Sequence, residues 1–416
     1  MALARIRTFV QQHPRASLAV GVGAGALLIL VGILLLRRPS DVSRGDEADF
    51  SAGQGAQTVD DWPVYGLDGY RARYLPARSV DPPFDKAWSH DTRALVEFSP
   101  IVVDGTLYVV NNDGLAQALD AETGNLLWER RIASLNASSP AFHEGSIYVA
   151  TLSPGRVVAL DAATGKVEWT RALPGRTESS PIVHKGKLLV GCESGDLFAL
   201  SPQTGKTRWR RQVGGAIKAA PAVSGGEVIV AAYGGIVAAY GIAKGREHWR
   251  SSSQSAGLGS SGNFYATPTI AFERIYVGNT DGRMYSFELS SGALAWSKST
   301  GSYVYAAVVA ADTPTTPPTI YFGSYDGQFY ALDARSGATR WQRPAGGGVS
   351  GAASLIGSTV YYANLRKTAV LGLDAKNGRR VFHFRDGAYN PAISDGKRLY
   401  LAGKRKIYGF VPRPRR

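Results

Sequence analysis

The chain has 416 residues, of which 49 are glycine and 10% are aromatic, a composition typical of strands joined by tight turns. Its formal net charge of +14 is concentrated at the two ends. Residues 1–44 hold six arginines against one aspartate, residues 404–416 hold six cations and no acid, and the body between them has 35 cations against 32 acids. A nearly neutral body excludes a basic groove for nucleic acid, so no nucleic-acid partner is predicted.

The N-terminal segment predicts a membrane anchor. A short basic tail, residues 1–16, precedes residues 17–36, which contain no charged side chain. A helix of this length spans roughly 30 Å, the thickness of the hydrocarbon layer. The apolar run ends at Arg37 and Arg38, whereas a cleaved signal peptide has a shorter apolar region and a small-residue exit. We expect a single-pass transmembrane helix, whose orientation the arginines do not decide because three lie on each side.

Residues 37–83 are predicted to be a linker and an aromatic lead-in segment. From about residue 39 to residue 60 the chain is mostly Ser, Gly, Asp, Gln and Ala, with little apolar surface to bury. This composition predicts a flexible linker that holds the following domain away from the membrane.

A repeat dominates the chain beyond residue 84. One phrase occurs as LDAETGNLLW (119–128), LDAATGKVEW (160–169), LSPQTGKTRW (200–209), YGIAKGREHW (240–249), FELSSGALAW (287–296), LDARSGATRW (332–341) and LDAKNGRRVF (373–382). A second, apolar phrase, such as LYVV at 107 and IYVA at 147, recurs eight times out of phase with the first. Four short β-patterned runs in every ~40–45 residues are the period of a propeller blade.

The repeated residues have a predicted structural role in each blade. An aspartate opens a tight turn, a glycine four positions later supplies the left-handed backbone that closes it, and a tryptophan four positions further on packs against the neighbouring blade. The residues of this blade signature are Trp88, Asp120, Gly124, Trp128, Asp161, Gly165, Trp169, Gly205, Trp209, Gly245, Trp249, Gly292, Trp296, Asp333, Gly337, Trp341, Asp374 and Gly378.

The blade count is predicted to be eight. Seven complete phrases leave a last unit, residues 390–412, that has three strand patterns and no tryptophan strand. The segment FDKAWSHD at 84–91, which contains Trp88, supplies the missing strand from the other end of the domain. The predicted fold is therefore all-β: an eight-bladed β-propeller over residues 84–412, closed by an N-terminal strand, with a basic C-terminal tail at 413–416.

The phrase resembles the tryptophan-docking repeat of the PQQ-repeat, or quinoprotein dehydrogenase, superfamily. Asp120, Thr123, Gly124 and Trp128 match its pattern, whereas the fourth copy has Gly241 and Lys244 at the Asp and Thr positions and the seventh has Phe382 for Trp. One branch of this superfamily binds PQQ and Ca²⁺ and oxidises alcohols or sugars. The other branch resembles BamB, a non-enzymatic scaffold of the outer-membrane barrel assembly machinery. The size and blade count of this chain suit that branch, whereas its predicted uncleaved anchor does not.

The residues favour the non-enzymatic branch. The resemblance implies that an enzyme would stack PQQ on a disulfide between adjacent cysteines, but the chain has the single cysteine Cys192 and no C-x-x-C-H haem site. The six histidines show no metal-ligand spacing; His143 and His184 occupy equivalent turns of adjacent blades. No catalytic, cofactor-binding or metal residue is therefore predicted. A divergent PQQ-dependent oxidoreductase is the alternative.

A candidate ligand rim follows from blade topology. Residues just before the first strand of each blade face the mouth of the central channel. By position these include Glu97, Glu178, Lys218, Tyr265, Tyr305 and Tyr389. We hypothesise that this rim contacts a small ligand or an extended peptide; an ordinary hydrated funnel is the alternative. The expected protein is a membrane-anchored scaffold or ligand-binding module, which the family resemblance places outside the cytoplasm.

Overall fold

The computed structural model describes residues 40–44, 47–52, 61–77, 79–254, 261–387 and 389–414. The described residues within 41–253 and 262–416 form one compact unit, which is the subject of the following sections. Residues 17–36, for which a transmembrane helix is predicted, lie outside the described residues. Within the described ranges, no helix is long and apolar enough to cross a membrane.

Eight sheets form the compact unit, each built on four antiparallel strands, and the first four sheets follow one another along the chain. Blade 1 contains β4 (Ile101–Val103), β5 (Thr106–Val110), β6 (Leu115–Asp120) and β7 (Leu126–Arg131). Blade 2 contains β9 (Ala141–His143), β10 (Ser146–Ser153), β11 (Arg156–Asp161) and β12 (Val167–Ala172), with the short β8 (Leu135–Asn136) on the end of β10. Blade 3 contains β13 (Ile182–His184), β14 (Lys187–Gly191), β15 (Asp196–Leu200) and β16 (Thr207–Gln212). Blade 4 contains β17 (Ala222–Ser224), β18 (Glu227–Ala232), β19 (Ile236–Gly241) and β20 (Glu247–Ser252).

The second half of the ring takes up three short or distant strands from the N-terminal region. Blade 5 contains β21 (Thr269–Ala271), β22 (Arg274–Gly278), β23 (Arg283–Glu288), β24 (Leu294–Ser299) and, on its outer edge, β1 (Val42–Ser43). Blade 6 contains β25 (Val309–Thr313), β26 (Thr316–Gly323), β27 (Gln328–Asp333) and β28 (Thr339–Pro344). Blade 7 contains β29 (Ser354–Ile356), β30 (Thr359–Asn364), β31 (Ala369–Asp374), β32 (Arg380–Phe384) and, parallel to β29, β2 (Tyr74–Leu75). Blade 8 contains β33 (Ile393–Ser394), β34 (Leu399–Ala402), β35 (Lys406–Pro412) and β3 (Phe84–Asp91).

The eight sheets close into a ring, as predicted. The first strand of each blade is the innermost, and β33 of blade 8 contacts β4 of blade 1 just as β4 contacts β9 of blade 2. In blade 8, β3 pairs with β35 from Phe84 opposite Pro412 to Asp91 opposite Lys406. The two ends of the domain therefore share one blade, and this pairing leaves the ring without an open seam.

The two faces of the ring follow from the antiparallel order. The turns between the second and third strands, and the connections between blades, lie on one face, here called the upper face. The turns between the first and second strands and between the third and fourth strands lie on the opposite, lower face. Each blade therefore presents its signature turn on the lower face and its connection on the upper face.

Each signature tryptophan packs on the glycine of the next blade. Trp128 covers Gly165 so closely that an added Cβ would lie 2.5 Å from Cε3 of the ring, and the indole Nε1 donates a hydrogen bond of 2.8 Å to the carbonyl of Ala162. The pairs around the ring are Trp88–Gly124, Trp128–Gly165, Trp169–Gly205, Trp209–Gly245, Trp249–Gly292, Trp296–Gly337 and Trp341–Gly378. The aspartate braces the turn: Oδ1 of Asp120 accepts hydrogen bonds of 2.7 Å from both the backbone N and the hydroxyl of Thr123.

The junction between blades 7 and 8 explains why the seventh copy has phenylalanine. In blade 8 the third and fourth strands, β35 and β3, come from different chain ends, so no signature turn joins them. Blade 8 therefore has neither the glycine nor the turn carbonyl that an indole from blade 7 would contact. Phe382 packs edge-on against Phe84 at 5.7 Å and against Phe410 at 6.3 Å between ring centroids instead.

Restoring the consensus tryptophan at this position should therefore destabilise the protein. We expect Phe382→Trp to lower the free energy of unfolding by about 1–3 kcal/mol because the larger ring overpacks a phenylalanine cluster and its N–H gains no acceptor. Urea unfolding of the variant and the wild type measures this difference. A variant more stable than the wild type would contradict the account of the junction.

Part of the segment predicted to be a flexible linker lies on blade 5. Residues 41–44 and 47–52, here called the strap, add β1 to the edge of β24, and Asp41 forms an ion pair of 3.0 Å with Arg283. Further along, Phe50 stacks on Phe272 with a centroid distance of 5.6 Å. The charged and apolar contacts together fix residues that look like a linker by composition alone.

Residues 61–77 fill the central channel and are here called the plug. Its carbonyls accept hydrogen bonds from inner-strand N–H groups of six blades, donated by Val102, Phe142, Val223, Ile270, Ala310 and Leu355. The backbone turns sharply, with Leu67, Arg71 and Arg73 all at positive φ. These N–H groups on the inner edges of the blades would otherwise be unpaired, and the carbonyls of the plug supply their acceptors.

Candidate functional site

The plug turns the central channel into a blind cavity on the upper face. The plug enters beside the lower-face turn of blade 1, where Asp61 accepts a hydrogen bond of 3.1 Å from the backbone N of Asp104. Tyr65 of the plug contributes to the lining of the cavity, and its ring lies 6.5 Å from that of Phe98. The cavity has a volume of about 80 Å³, and its walls come from the connections that precede the inner strands of seven blades.

The six residues of the predicted rim all line this cavity: Glu97, Glu178, Lys218, Tyr265, Tyr305 and Tyr389. They converge because equivalent positions of repeated blades are brought to the same ring around the axis.

A charged network connects blades 3, 4 and 5 in the cavity wall. Nζ of Lys218 lies 2.6 Å from Oε1 of Glu178 and 3.1 Å from Oε1 of Glu193. The hydroxyl of Tyr265 donates a hydrogen bond of 2.6 Å to the other oxygen of Glu178. The ammonium also lies 5.9 Å from the ring centroids of Tyr233 and Tyr265, so carboxylates and aromatic rings hold it together.

The protonation states of this network are fixed by its surroundings. Burial by itself would lower the pKa of Lys218, but its hydrogen bonds to Glu178 and Glu193 leave that pKa above the ordinary value. Burial, together with the charge of Glu178, raises the pKa of Tyr265. At neutral pH the lysine is therefore cationic and the tyrosine is a hydrogen-bond donor.

A tyrosine cluster leads from the cavity to the surface of blades 5 and 6. The ring of Tyr305 lies 5.2 Å from that of Tyr265, 5.7 Å from Tyr303 and 5.0 Å from Tyr325. Tyr303 is 50% exposed and Tyr325 is 38% exposed. Sequence reasoning missed both residues. The doublet of tyrosines in SYVY, two positions apart in one upper-face connection, was the signal that could have found Tyr303.

Glu97, which precedes the inner strand of blade 1, supplies a second carboxylate to the lining of the cavity. Its Oε2 accepts a hydrogen bond of 2.8 Å from Nδ2 of Asn112, and its backbone N donates one of 3.1 Å to the amide oxygen of the same residue. Among the described residues, no cationic side chain lies within 4.0 Å of this carboxylate. The lining therefore holds two carboxylates, those of Glu97 and Glu178, against the single ammonium of Lys218, and is net acidic.

The lining does not fit PQQ. A tricarboxylate would meet the carboxylates of Glu97 and Glu178, and the single ammonium of Lys218 in the lining already pairs with Glu178. Cys192 is buried, with Sγ 2.8 Å from the hydroxyl of Ser194, and is not part of the lining. In the part of the chain that the structure describes, no three His, Cys, Asp or Glu side chains are grouped to hold a metal ion. His184 hydrogen-bonds the carbonyl of Gly225 instead.

The repeat region matches a known protein family. A family model described as "Outer membrane protein assembly factor BamB" matches residues 84–182 and 176–384. The 1-butanol dehydrogenase (cytochrome c) of Thauera butanivorans is 35% identical over 115 residues, which are 24% of this chain and 16% of that protein. The quinohemoprotein alcohol dehydrogenase of Comamonas testosteroni is 34% identical over 88 residues, 20% of this chain and 12% of that protein. The chain thus spans no more than about a sixth of the length of these relatives.

Solved structures share the fold. The structure of BamB from Moraxella catarrhalis has a TM-score of 0.66 at 16% identity, covering 79% of this chain and 100% of that one. Quinohemoprotein alcohol dehydrogenase from Comamonas testosteroni has a TM-score of 0.69 at 16% identity, covering 86% of this chain and 81% of that one. At these identities the likeness establishes the propeller fold alone, and it includes both an assembly factor and an enzyme.

Proposed function

This chain belongs to the family of the outer membrane protein assembly factor BamB, and from that premise we propose that it is a membrane-anchored, non-enzymatic propeller that binds an extended segment of a partner protein at its upper face. The observation that carries the proposal is the blind cavity, closed by the chain's own plug and continued to the surface by the cluster of Tyr265, Tyr303, Tyr305 and Tyr325. A recess of this size accommodates one side chain, while the exposed rings around it offer area for the neighbouring residues.

The chemistry of the cavity indicates what that side chain is. Tyrosines are enriched at protein interfaces because they bury a large ring and keep a polar tip. The wall already holds one ammonium, that of Lys218, between carboxylates and rings. Glu97 offers a second carboxylate in the same cavity. A basic side chain on the partner segment would complete the same arrangement, so a lysine or arginine is the expected occupant.

The location is part of the proposal. Residues 17–36 would anchor the chain as a single membrane-spanning helix, and the propeller would lie at the outer face of that membrane. The uncharged run of these residues supports the anchor, and the family's description as an outer-membrane assembly factor supports a site outside the cytoplasm.

Site-specific photocrosslinking in native membranes tests the proposed partner surface. A photoreactive phenylalanine analogue replaces Tyr303 in the full-length chain, and the matched control carries it at Leu127, which is 55% exposed on β7. We expect a discrete crosslinked protein from position 303 that is absent from position 127. Adding Glu97→Gln should reduce its yield severalfold, because this change removes a carboxylate proposed to bind the basic side chain. Identical products at the two positions, or none at position 303, would contradict the proposal.

The alternative, a divergent PQQ-dependent oxidoreductase, is favoured by one observation, the local identity to quinoprotein dehydrogenases. It is tested by adding PQQ and Ca²⁺ to the full-length protein and measuring thermal unfolding and dye-linked alcohol oxidation. We expect neither a stabilisation nor turnover. Saturable stabilisation with turnover would replace the binding proposal by the enzymatic one.

A further inference from the structure

Two arginines of the plug are buried at the centre of the ring. Arg71 is 0% exposed and Arg73 is 1% exposed. Their hydrogen bonds go to backbone carbonyls only: Arg71 donates to Pro221 at 3.0 Å and to Tyr65, and Arg73 donates to the carbonyl of Arg71 at 2.9 Å. No described carboxylate lies within ion-pair distance, 4.0 Å, of either guanidinium. Such burial is costly unless the charge is balanced.

One neighbouring acid cannot balance two arginines. Asp68 lies in the same segment, and burial raises its pKa. Burial and the charge of Arg73 lower the pKa of Arg71 to about 9, so this arginine is still protonated at neutral pH. The interior of the plug therefore carries a net positive charge.

Each guanidinium also has an N–H group without an acceptor. Nη2 of Arg71 and Nη2 of Arg73 are both buried and have no hydrogen-bond partner among the described residues. Buried donors in folded proteins are nearly always satisfied, and an unsatisfied one indicates an ordered water or ion. Two such donors on a doubly charged pair favour an ion of negative charge over neutral water.

We infer that the plug binds a small anion of the halide class against Arg71 and Arg73. The pair is buried and closely packed, since a Cβ added to Gly66 would overlap Nη1 of Arg73 and lie 3.1 Å from Cδ of Arg71; this packing favours a monatomic ion over a bulky oxyanion. The site is separate from the upper-face cavity, whose lining includes neither arginine. The bound anion stabilises the plug in the channel. Because the plug forms the floor of the upper-face cavity, the anion stabilises that floor as well.

Thermal unfolding of the full-length protein at constant ionic strength tests the inference. Chloride replaces gluconate, which is too large to enter, in a titration series. We expect the Tm to rise with chloride along a saturating curve, because an ion that binds only the folded state stabilises it. Bromide should act similarly and should give an anomalous scattering peak beside both Nη2 atoms in a crystal. A Tm that is the same in chloride and gluconate would overturn the inference and assign the donors to water.

Variants separate the site from general salt effects. Arg208→Met, which removes an exposed arginine of β16, should keep the chloride response, whereas Arg73→Met should lose it. Because Arg73→Met could also prevent folding, Asp68→Asn provides the second test. Removing the competing acid should shift the half-saturating chloride concentration downward. An unchanged or higher half-saturating concentration in Asp68→Asn would contradict the inference.

Discussion

A chain that begins at residue 76 is expected not to fold, whereas chains that begin at residue 41 or 61 are expected to keep the propeller. The first lacks the plug but retains β3, so its ring could still close at blade 8. The other two retain the plug, and the comparison between them isolates the contribution of the strap. All three lack residues 1–40, so the predicted membrane segment does not affect the comparison.

The size of this effect follows from what the plug buries. Trp62, Val64, Leu67, Tyr74 and Leu75 are all nearly inaccessible to solvent. Burial of each such side chain contributes about 1.5–3 kcal/mol, and together they amount to on the order of 10 kcal/mol. This is comparable to the whole free energy of unfolding of a typical domain, about 5–15 kcal/mol. Loss of the plug would also leave inner-strand N–H groups of six blades without their carbonyl acceptors.

Circular dichroism, urea unfolding and gel filtration of the three chains measure the outcome. We expect cooperative unfolding of the chains from residues 41 and 61, with the second moderately less stable because it lacks the strap. The chain from residue 76 should be aggregated or lack a cooperative transition. A folded and comparably stable chain from residue 76 would show that the channel does not require its plug.

The second large effect is expected at the tryptophan–glycine contacts. Gly165→Ala places a Cβ 2.5 Å from the ring of Trp128 and adds a side chain at a positive φ, +67°. Gly145→Ala is the matched control, since this glycine has φ +79° and nothing within 4 Å of an added Cβ. The control should cost only the left-handed backbone penalty of about 1–2 kcal/mol. Gly165→Ala should cost on the order of 3 kcal/mol or more because the indole must also move.

A double-mutant cycle separates these two contributions. In a Trp128→Ala background the ring is gone, so the cost of Gly165→Ala should fall toward that of Gly145→Ala. Urea unfolding of the four chains of the cycle gives the coupling energy. Equal costs for Gly165→Ala with and without Trp128 would mean that the backbone conformation, rather than docking of the indole, requires glycine at this position.

The blade architecture could be predicted from the sequence because each blade repeats the same local chemistry. Asp120, Gly124 and Trp128 act within one turn and one neighbouring blade, so their spacing alone indicates the turn, the strand and the contact. The count of repeats and the position of Trp88 then require the two chain ends to meet in blade 8. The convergence of the predicted rim residues on one cavity follows from the same regularity.

The plug, the strap and the buried arginines were decided only by the tertiary structure. These residues belong to no repeat, and by composition Arg71 and Arg73 look like solvent-exposed residues of a linker. What determines their place is the row of unpaired N–H groups on the inner strands, which exists only after the blades have closed around an axis. The sequence by itself thus determined the ring and its closure, because those depend on contacts near in the chain or repeated along it. The position of the plug in the channel depends on backbone N–H groups from six blades at once, and no local sequence pattern encodes that position.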